Sequence, residues 1–405
     1  MKRRLLPILM TLVLVCALPI WAAFVTSGDV TNSLLTTADA AELTLQGMID
    51  QANAGDTIKL SSNTEIAATL QITKNLTLDL NGHVLKMTGS GSVLKVSGRA
   101  TLTIQDSSAA KSGTITGGNA EYGGGVYVDD YAALKMTGGC ITGCHASRGG
   151  GGIYSSGNLY MGGTAKIEKC TGSDDAIWNR ENSDIYADGG TVDGTVNNQG
   201  TIKRSEGAAA VTVFNGTVYN RSAGTIIAGI YNGTVENNGT ISGGTFCGGV
   251  TIRKGAWVWE RTGSVTGGTF YGPIVNEVGP GQVTGGTFAV RFDTDGGSEI
   301  EPTMVEHSHT VRPPSDPEKS GHTFVGWYLG DEKYNFDTPI TAPLTLTAKW
   351  EKVPSSGGYY YYHPTTDTKA DDTKGSPKTA DPGVALYAAL SLLSLTGLTC
   401  TAKKR

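Results

Sequence analysis

Short tetrapeptides return at near-regular intervals along this chain, and that repetition limits the fold more than any other feature. Gly124-Gly125-Val126-Tyr127 comes back as Gly151-Gly152-Ile153-Tyr154 after 27 positions. Ile115-Thr116-Gly117 comes back as Ile141-Thr142-Gly143 after 26, and Met136-Thr137-Gly138-Gly139 as Met161-Gly162-Gly163 after 25. Further on, Gly243-Gly244-Thr245-Phe246 recurs at Gly267-Gly268-Thr269-Phe270 and Gly285-Gly286-Thr287-Phe288, spaced 24 and 18. A period near 25 marks a solenoid, in which each repeat is one coil stacked on the next. The runs inside each repeat are short and β-branched. In Leu76-Thr77-Leu78-Asp79-Leu80 the leucines fall on one face of a strand, and Thr77 and Asp79 on the other. Gly and Asn suit the corners because they tolerate positive φ. Neither a leucine-rich consensus nor 3.6-residue periodicity is present, which excludes leucine-rich and helical repeats. Leu78, Val126 and Ile153 are expected to point inward and to meet their equivalents about 4.8 Å away in neighbouring coils.

Composition narrows the class. The 405 residues include 57 Gly, about twice the usual share, with no Gly-X-Y period, so collagen is excluded. Charged residues make up 17% and the net charge is −5. No basic face is available, so nucleic acid is not an expected partner.

The segment Ile72-Thr73-Lys74-Asn75-Leu76-Thr77-Leu78-Asp79-Leu80-Asn81-Gly82, with the Gly-Gly-Gly-Val-Tyr coils, resembles the right-handed parallel β-helix of pectate-lyase-like surface proteins, over 41–288. A second unit spans 289–352. It contains Gly321-His322-Thr323-Phe324-Val325-Gly326-Trp327-Tyr328 and ends with Ala348-Lys349-Trp350. These motifs resemble the internalin-type B repeat, also called the Listeria–Bacteroides repeat. The resemblance implies a small β-grasp-like module that acts as a spacer or interaction unit without enzymatic activity. Phe324, Trp327, Phe336 and Trp350 supply the large apolar area that so small a core needs. The expected fold class is all-β, a right-handed parallel β-helix followed by this module.

The two ends read as targeting segments. Residues 1–40 open with Lys2-Arg3-Arg4, continue in a long uncharged stretch and offer cleavage sites at Ala38-Asp39-Ala40 and, less cleanly, near Ala22-Ala23, the pattern of a secretory signal. An uncleaved N-terminal anchor is the alternative. Residues 353–375 are rich in Pro, Ser, Gly, Thr and Asp and read as a linker. In 376–405, Ser376-Pro377-Lys378-Thr379-Ala380 precedes a charge-free stretch and the basic tail Lys403-Lys404-Arg405. This order resembles the sorting signal of Gram-positive wall-anchored proteins, with Ser in place of the leading Leu and Ala in place of the final Gly. It implies cleavage after Thr379 by a sortase and an amide bond to peptidoglycan. A plain C-terminal membrane anchor is the alternative. The membrane is otherwise met only through these terminal hydrophobic segments.

Cys140, Cys144, Cys170 and Cys247 fit no zinc spacing, read as small buried side chains, and leave a Cys144–Cys170 pair open. Carboxylates occur at Asp129-Asp130 and in the group Asp174, Asp175, Glu181, Asp184 and Asp188 around Arg180, which reads as an acidic loop. Adjacent carboxylates on a strand point to opposite faces, poor geometry for a glycosidase pair. His307-Ser308-His309 lacks a clear third ligand, so no metal site is assigned. Trp257 and Trp259 share a strand face and form a candidate glycan-stacking platform, with inward packing as the alternative. No catalytic residue and no cofactor is expected. The chain is therefore expected to be a secreted, non-enzymatic surface protein anchored to the wall or the outer face of the membrane. Its expected partners are peptidoglycan, through sortase, and glycans or proteins of a host or neighbouring cell. The alternative is a surface polysaccharide lyase or glycoside hydrolase using the β-helix groove.

Overall fold

A computed structural model describes residues 29–31, 44–172, 175–255 and 261–354. Of the signal segment only Asp29–Thr31 is described, as a strand pairing in parallel with Thr57–Lys59; Trp257, Trp259 and the sorting residues Ser376 to Ala380 lie outside the described residues. The chain divides into two compact units. The first holds residues up to Arg291 together with 302–313 and 335–345, and the second holds 292–301, 314–334 and the residues from 346.

The first unit is a parallel β-solenoid. The coils run over three faces, most with a strand on each, and in Asn158–Glu168 and Asp184–Asp193 one strand spans two faces. One face is a ten-stranded parallel sheet running from Leu70–Ile72 through Leu94–Val96, Val126–Val128, Ile153–Ser155, Ile177–Asn179, Val196–Asn198 and Val218–Asn220 to Ile274–Asn276. Its neighbours pair without a slip in register, as in Val126↔Ile153, Ile153↔Ile177 and Ile177↔Val196. The coils are uneven: the sheet advances 32 residues from Leu94 to Val126 but 15 from Val235 to Val250. Leu78, Val126 and Ile153 are buried as expected, at 4%, 0% and 0% exposure. They belong to continuous ladders, such as Leu76↔Leu102↔Leu134↔Leu159↔Ile185 on the second face.

The recurring Gly-Gly-Thr-Phe signature lies on the third face. Its aromatics point inward and stack ring on ring. Phe214–Tyr231, Tyr231–Phe246 and Phe246–Phe270 have centroids 5.0, 4.9 and 4.7 Å apart at interplanar angles of 8°, 10° and 8°. The Tyr231 hydroxyl donates to the Ala228 carbonyl at 2.6 Å, so its polar tip is satisfied inside the core. The ladder ends at Phe288, whose strand Thr287–Asp293 pairs in parallel with Thr269–Phe270 and in antiparallel with Thr303–Glu306.

Two polar ladders depart from the simple alternation. Asp79 was expected to face outward, yet it is buried at 3% exposure. It sits at a corner, where its carboxylate accepts from Asn81 N and Ser107 N, both at 2.9 Å, and from Gln105 Nε2. Asp106 does the same one coil on, accepting from Gly82, Ser108 and Gly113. Asparagine also plays a part beyond corners. Asn81 and Asn182 do take positive φ, but Asn179, Asn198, Asn220 and Asn237 are fully buried. Each of the first three donates its side-chain amide to the next one's oxygen, at 2.8, 2.8 and 2.7 Å.

One short helix, Leu45–Gln51, precedes the coils, N-capped by the Thr44 hydroxyl. It buries Leu45, Met48 and Ile49, and Gln46 accepts from the backbone N–H of Gln71 at 2.8 Å. The helix thereby covers the otherwise unpaired edge strand Leu70–Ile72, a usual remedy for an exposed sheet edge.

In the second unit, His322–Leu329 pairs in antiparallel with the strand Leu344–Lys352, from His322↔Lys352 to Tyr328↔Thr347. Phe324, Trp327 and Trp350 meet edge to face, with centroids 5.4 and 5.5 Å apart. Phe292, which sequence reasoning did not single out, packs on Trp327 at 5.0 Å. Phe336, expected in the same core, falls in the first unit and is half-buried. Trp350 donates to the Thr294 carbonyl at 2.9 Å.

Candidate functional site

Side chains at the middle of each strand of the ten-stranded face point away from the core. In-register stacking turns these positions into one row, of which Lys95, Tyr127, Tyr154, Trp178, Asn197 and Tyr219 are six consecutive members. Four of the six are aromatic. Tyr127 and Tyr154 stack at 5.1 Å and 21°, and Tyr154 meets Trp178 at 6.3 Å. Lys95 stands 5.2 Å over the Tyr127 ring, and the Arg221 guanidinium stands 4.8 Å over the Tyr219 ring.

A wall rises beside this row. Asn119–Tyr122 and His145–Gly149 form a separate two-stranded parallel sheet. Tyr122 leans from the wall onto Tyr154 at 4.9 Å. Gly149 lies against the Trp178 ring, where an added Cβ would sit 1.8 Å from the ring, so only glycine allows that contact. Wall and row enclose an open cleft of about 800 Å³. Lys95, Asn119, Glu121, Tyr122, Tyr127 and Arg148 are among the residues that line it.

The charges in the cleft are paired. Arg148 Nε lies 3.1 Å from Glu121, and Lys95 lies 3.9 Å from Asp129. Hydrogen bonding to Tyr122 and the charge of Glu121 hold the Arg148 guanidinium above its ordinary value. Burial, together with Tyr154, Asp129 and Asp130, raises the Tyr127 phenol, which therefore stays neutral and able to donate. The tyrosines Tyr122 and Tyr127, with hydroxyl and amide groups around them and each lining charge facing a partner, suit the apolar face and hydroxyls of a sugar ring.

The other sequence candidates are scattered. Of the acidic group, Asp174 lies outside the described residues. Asp175 is buried and accepts from Asn197 Nδ2 at 3.3 Å. Asp184 pairs with Lys203 at 2.7 Å, and Asp188 accepts from the amide and hydroxyl of Ser205. Arg180 and Glu181 line a different, smaller cleft with Tyr131. Among the described residues no group of three or more His, Cys, Asp or Glu is placed to hold a metal ion. His307 and His309 flank a turn at Ser308, whose φ is 65°, rather than lying along a strand. The aromatic row was missed in the sequence, although its signal was there. Tyr127 and Tyr154 are the fourth members of the repeated Gly-Gly-Val-Tyr and Gly-Gly-Ile-Tyr, so their recurrence at one position placed them one coil apart.

Comparison with known proteins bears on the C-terminal part. Residues 288–349 match the Listeria-Bacteroides repeat domain. A "Putative membrane protein" of Evansella cellulosilytica is 37% identical over 67 residues, which is 16% of this chain and 10% of that protein. A "Putative Gly-rich membrane protein" of the same organism is 37% identical over 68 residues, 16% of this chain and 8% of that protein. The chain thus matches about a tenth of the length of these relatives. No solved structure matches it. Among the described residues no helix is long and apolar enough to cross a membrane.

Proposed function

We propose that this chain is a non-enzymatic bacterial surface protein whose solenoid binds glycans in the cleft lined by Tyr122 and Tyr127. The observation that carries the reading is the stacked aromatic row with the Tyr122 wall beside it. A binding role fits the charge pattern better than hydrolysis does. Glu121 is the one carboxylate among the cleft residues, it is engaged by Arg148, and glycosidases use two opposed carboxylates. Placement at the cell surface is supported by the Listeria-Bacteroides repeat and by the membrane-protein names of the two relatives. Attachment to peptidoglycan is supported by Pro377 and Thr379 followed by the apolar stretch and the basic tail.

The deciding experiment incubates the purified chain with a panel of plant, bacterial and mucin polysaccharides. Binding without depolymerisation is expected. Depolymerisation at enzyme-like rates would overturn the reading in favour of a lyase or hydrolase. For the anchor, Thr379→Ala is expected to leave the chain in the membrane or the medium. Continued covalent attachment of that variant to wall fragments would exclude sorting at Thr379.

A further inference from the structure

We infer that Cys144 and Cys170 are a modification site, a pair of thiols from successive coils that closes to a disulfide when the chain meets a disulfide oxidant. Both are free thiols here and both are buried, at 1% and 9% exposure. They occupy equivalent places one coil apart. The Thr171 amide donates to the Cys144 carbonyl at 2.9 Å, and His145 and Thr171 form a parallel bridge. The two sulfurs face the same way. Cys144 Sγ lies 3.6 Å from the Thr142 carbonyl, and Cys170 Sγ lies 3.6 Å from the Ile141 carbonyl. Each sulfur also packs beneath a matching glycine, Gly125 and Gly152. Neighbouring parallel strands run about 4.8 Å apart, within the range of about 4.4–6.8 Å between Cα atoms that a disulfide spans. The neighbouring Cys170 thiol and the amides of Gly118 and Gly117 lower the Cys144 thiol against burial, while Cys144 and burial raise Cys170. Both thiols are buried, so an oxidant reaches them when the coil opens, and Cys144 is then the attacking group and Cys170 the resolving one.

The chemistry is thiol–disulfide exchange. The Cys144 thiolate attacks one sulfur of a small or protein disulfide, forming a mixed disulfide and releasing the first thiol of the oxidant. Cys170 then loses its proton, attacks the Cys144 sulfur and releases the second. One intramolecular S–S bond forms, two protons and two electrons leave the pair, and the oxidant is reduced to two thiols. The loop so closed is one complete coil, including the His145–Gly149 wall strand and Tyr154. Cys140 takes no part. It is half-buried, lies across from Lys166, and burial with the nearby Glu168 pushes its thiol up to about 11.

The test uses the full reduced chain incubated with oxidised glutathione, followed by alkylation in denaturant and peptide mapping. The expected product joins the peptides carrying Cys144 and Cys170, with Cys140 still alkylated. Cys140→Ser should keep the link, and Cys144→Ser or Cys170→Ser should abolish it. Amide exchange within 144–170 should slow about tenfold or more in the oxidised form, because the cross-link restricts coil opening. Full alkylation of both cysteines after oxidation would overturn the proposal. So would a link from either of them to any other cysteine. The Cys140→Ser variant keeps the test decisive if the other two fail to fold.

Discussion

Asn198 shows how much order between coils rests on single buried amides. It accepts from Asn179, donates to Asn220 at 2.8 Å and donates to the Gly200 carbonyl at 3.0 Å. Asn198→Ala takes from the Asn220 oxygen the donor it uses and leaves it buried. A buried group stripped of its partner costs about 1–3 kcal/mol, and chemical denaturation of the solenoid should report a loss of that size. Asn198→Asp should do no better, since the acid has no N–H to donate onward once ionised. The corner aspartates give a pH dependence. Burial raises the Asp106 carboxyl, and the hydrogen bonds from Ser108, Gly113 and Gly82 more than offset this, leaving it below its ordinary value of 3.8. Asp79 is lowered in the same way by Ser107, Asn81 and Gln105. A lowered native value means the unfolded chain binds the proton first. The stabilisation is therefore complete above the unfolded value and fades as the pH falls through the native one. Acid titration should open the corners around 79–82 and 106–113 below about pH 4. Asp106→Asn should blunt that transition and lower stability at neutral pH.

The coil is the unit of packing, and its behaviour follows from nearest-neighbour contact. Ile153 has no exposed surface and pairs with Val126 on one side and Ile177 on the other. Cutting a buried Ile to Ala costs about 2–5 kcal/mol. In a solenoid that loss stays near the site. Ile153→Ala should therefore deprotect amides around 120–170 in hydrogen exchange, with little change around 75–85. Uniform loss along the whole solenoid would mean one cooperative core instead. The coils themselves were legible in the sequence because Gly-Gly-Val-Tyr and Gly-Gly-Thr-Phe carry both the glycines that close approach needs and a residue of fixed orientation. An added Cβ at Gly125 would stand 2.5 Å from the Gly152 carbonyl, so glycine at that place is a packing requirement. The Asn179–Asn237 ladder was not legible. Its members sit at the ends of short strands, where a turn residue and a buried amide look alike until the coils are stacked. Asp79 misled for a similar reason: alternation along Leu76–Leu80 predicts the strand correctly but not the corner that follows it.

For the molecule as a whole, the candidate site is an effect of register. Tyr127, Tyr154 and Trp178 come from three coils and become one surface only because every strand pairs in step. Tyr127→Ala removes the aromatic ring of the row that lines the cleft, beside Lys95. It should weaken binding to any polysaccharide the chain retains by about tenfold or more, the loss of about 1.4 kcal/mol or more expected of a central aromatic anchor. Affinity measurements on parent and variant check this. The sequence pointed instead to Trp257 and Trp259, because adjacency within one strand is visible in a linear reading and alignment across coils is not. The same stacking has a mechanical consequence. The strands of the solenoid are joined edge to edge in series between its first coil and its last, so a pull on its two ends loads the coil-to-coil hydrogen bonds a few at a time. Coils should part singly, each releasing its own length of chain. At about 3.3–3.6 Å per extended residue, the coil of 15 residues from Val235 to Val250 and that of 32 from Leu94 to Val126 would yield steps of roughly 50 and 110 Å. A single-molecule stretching record should resolve such unequal steps, and a single large rupture would contradict them. Built this way, a tethered protein would lengthen under shear and keep its remaining coils intact.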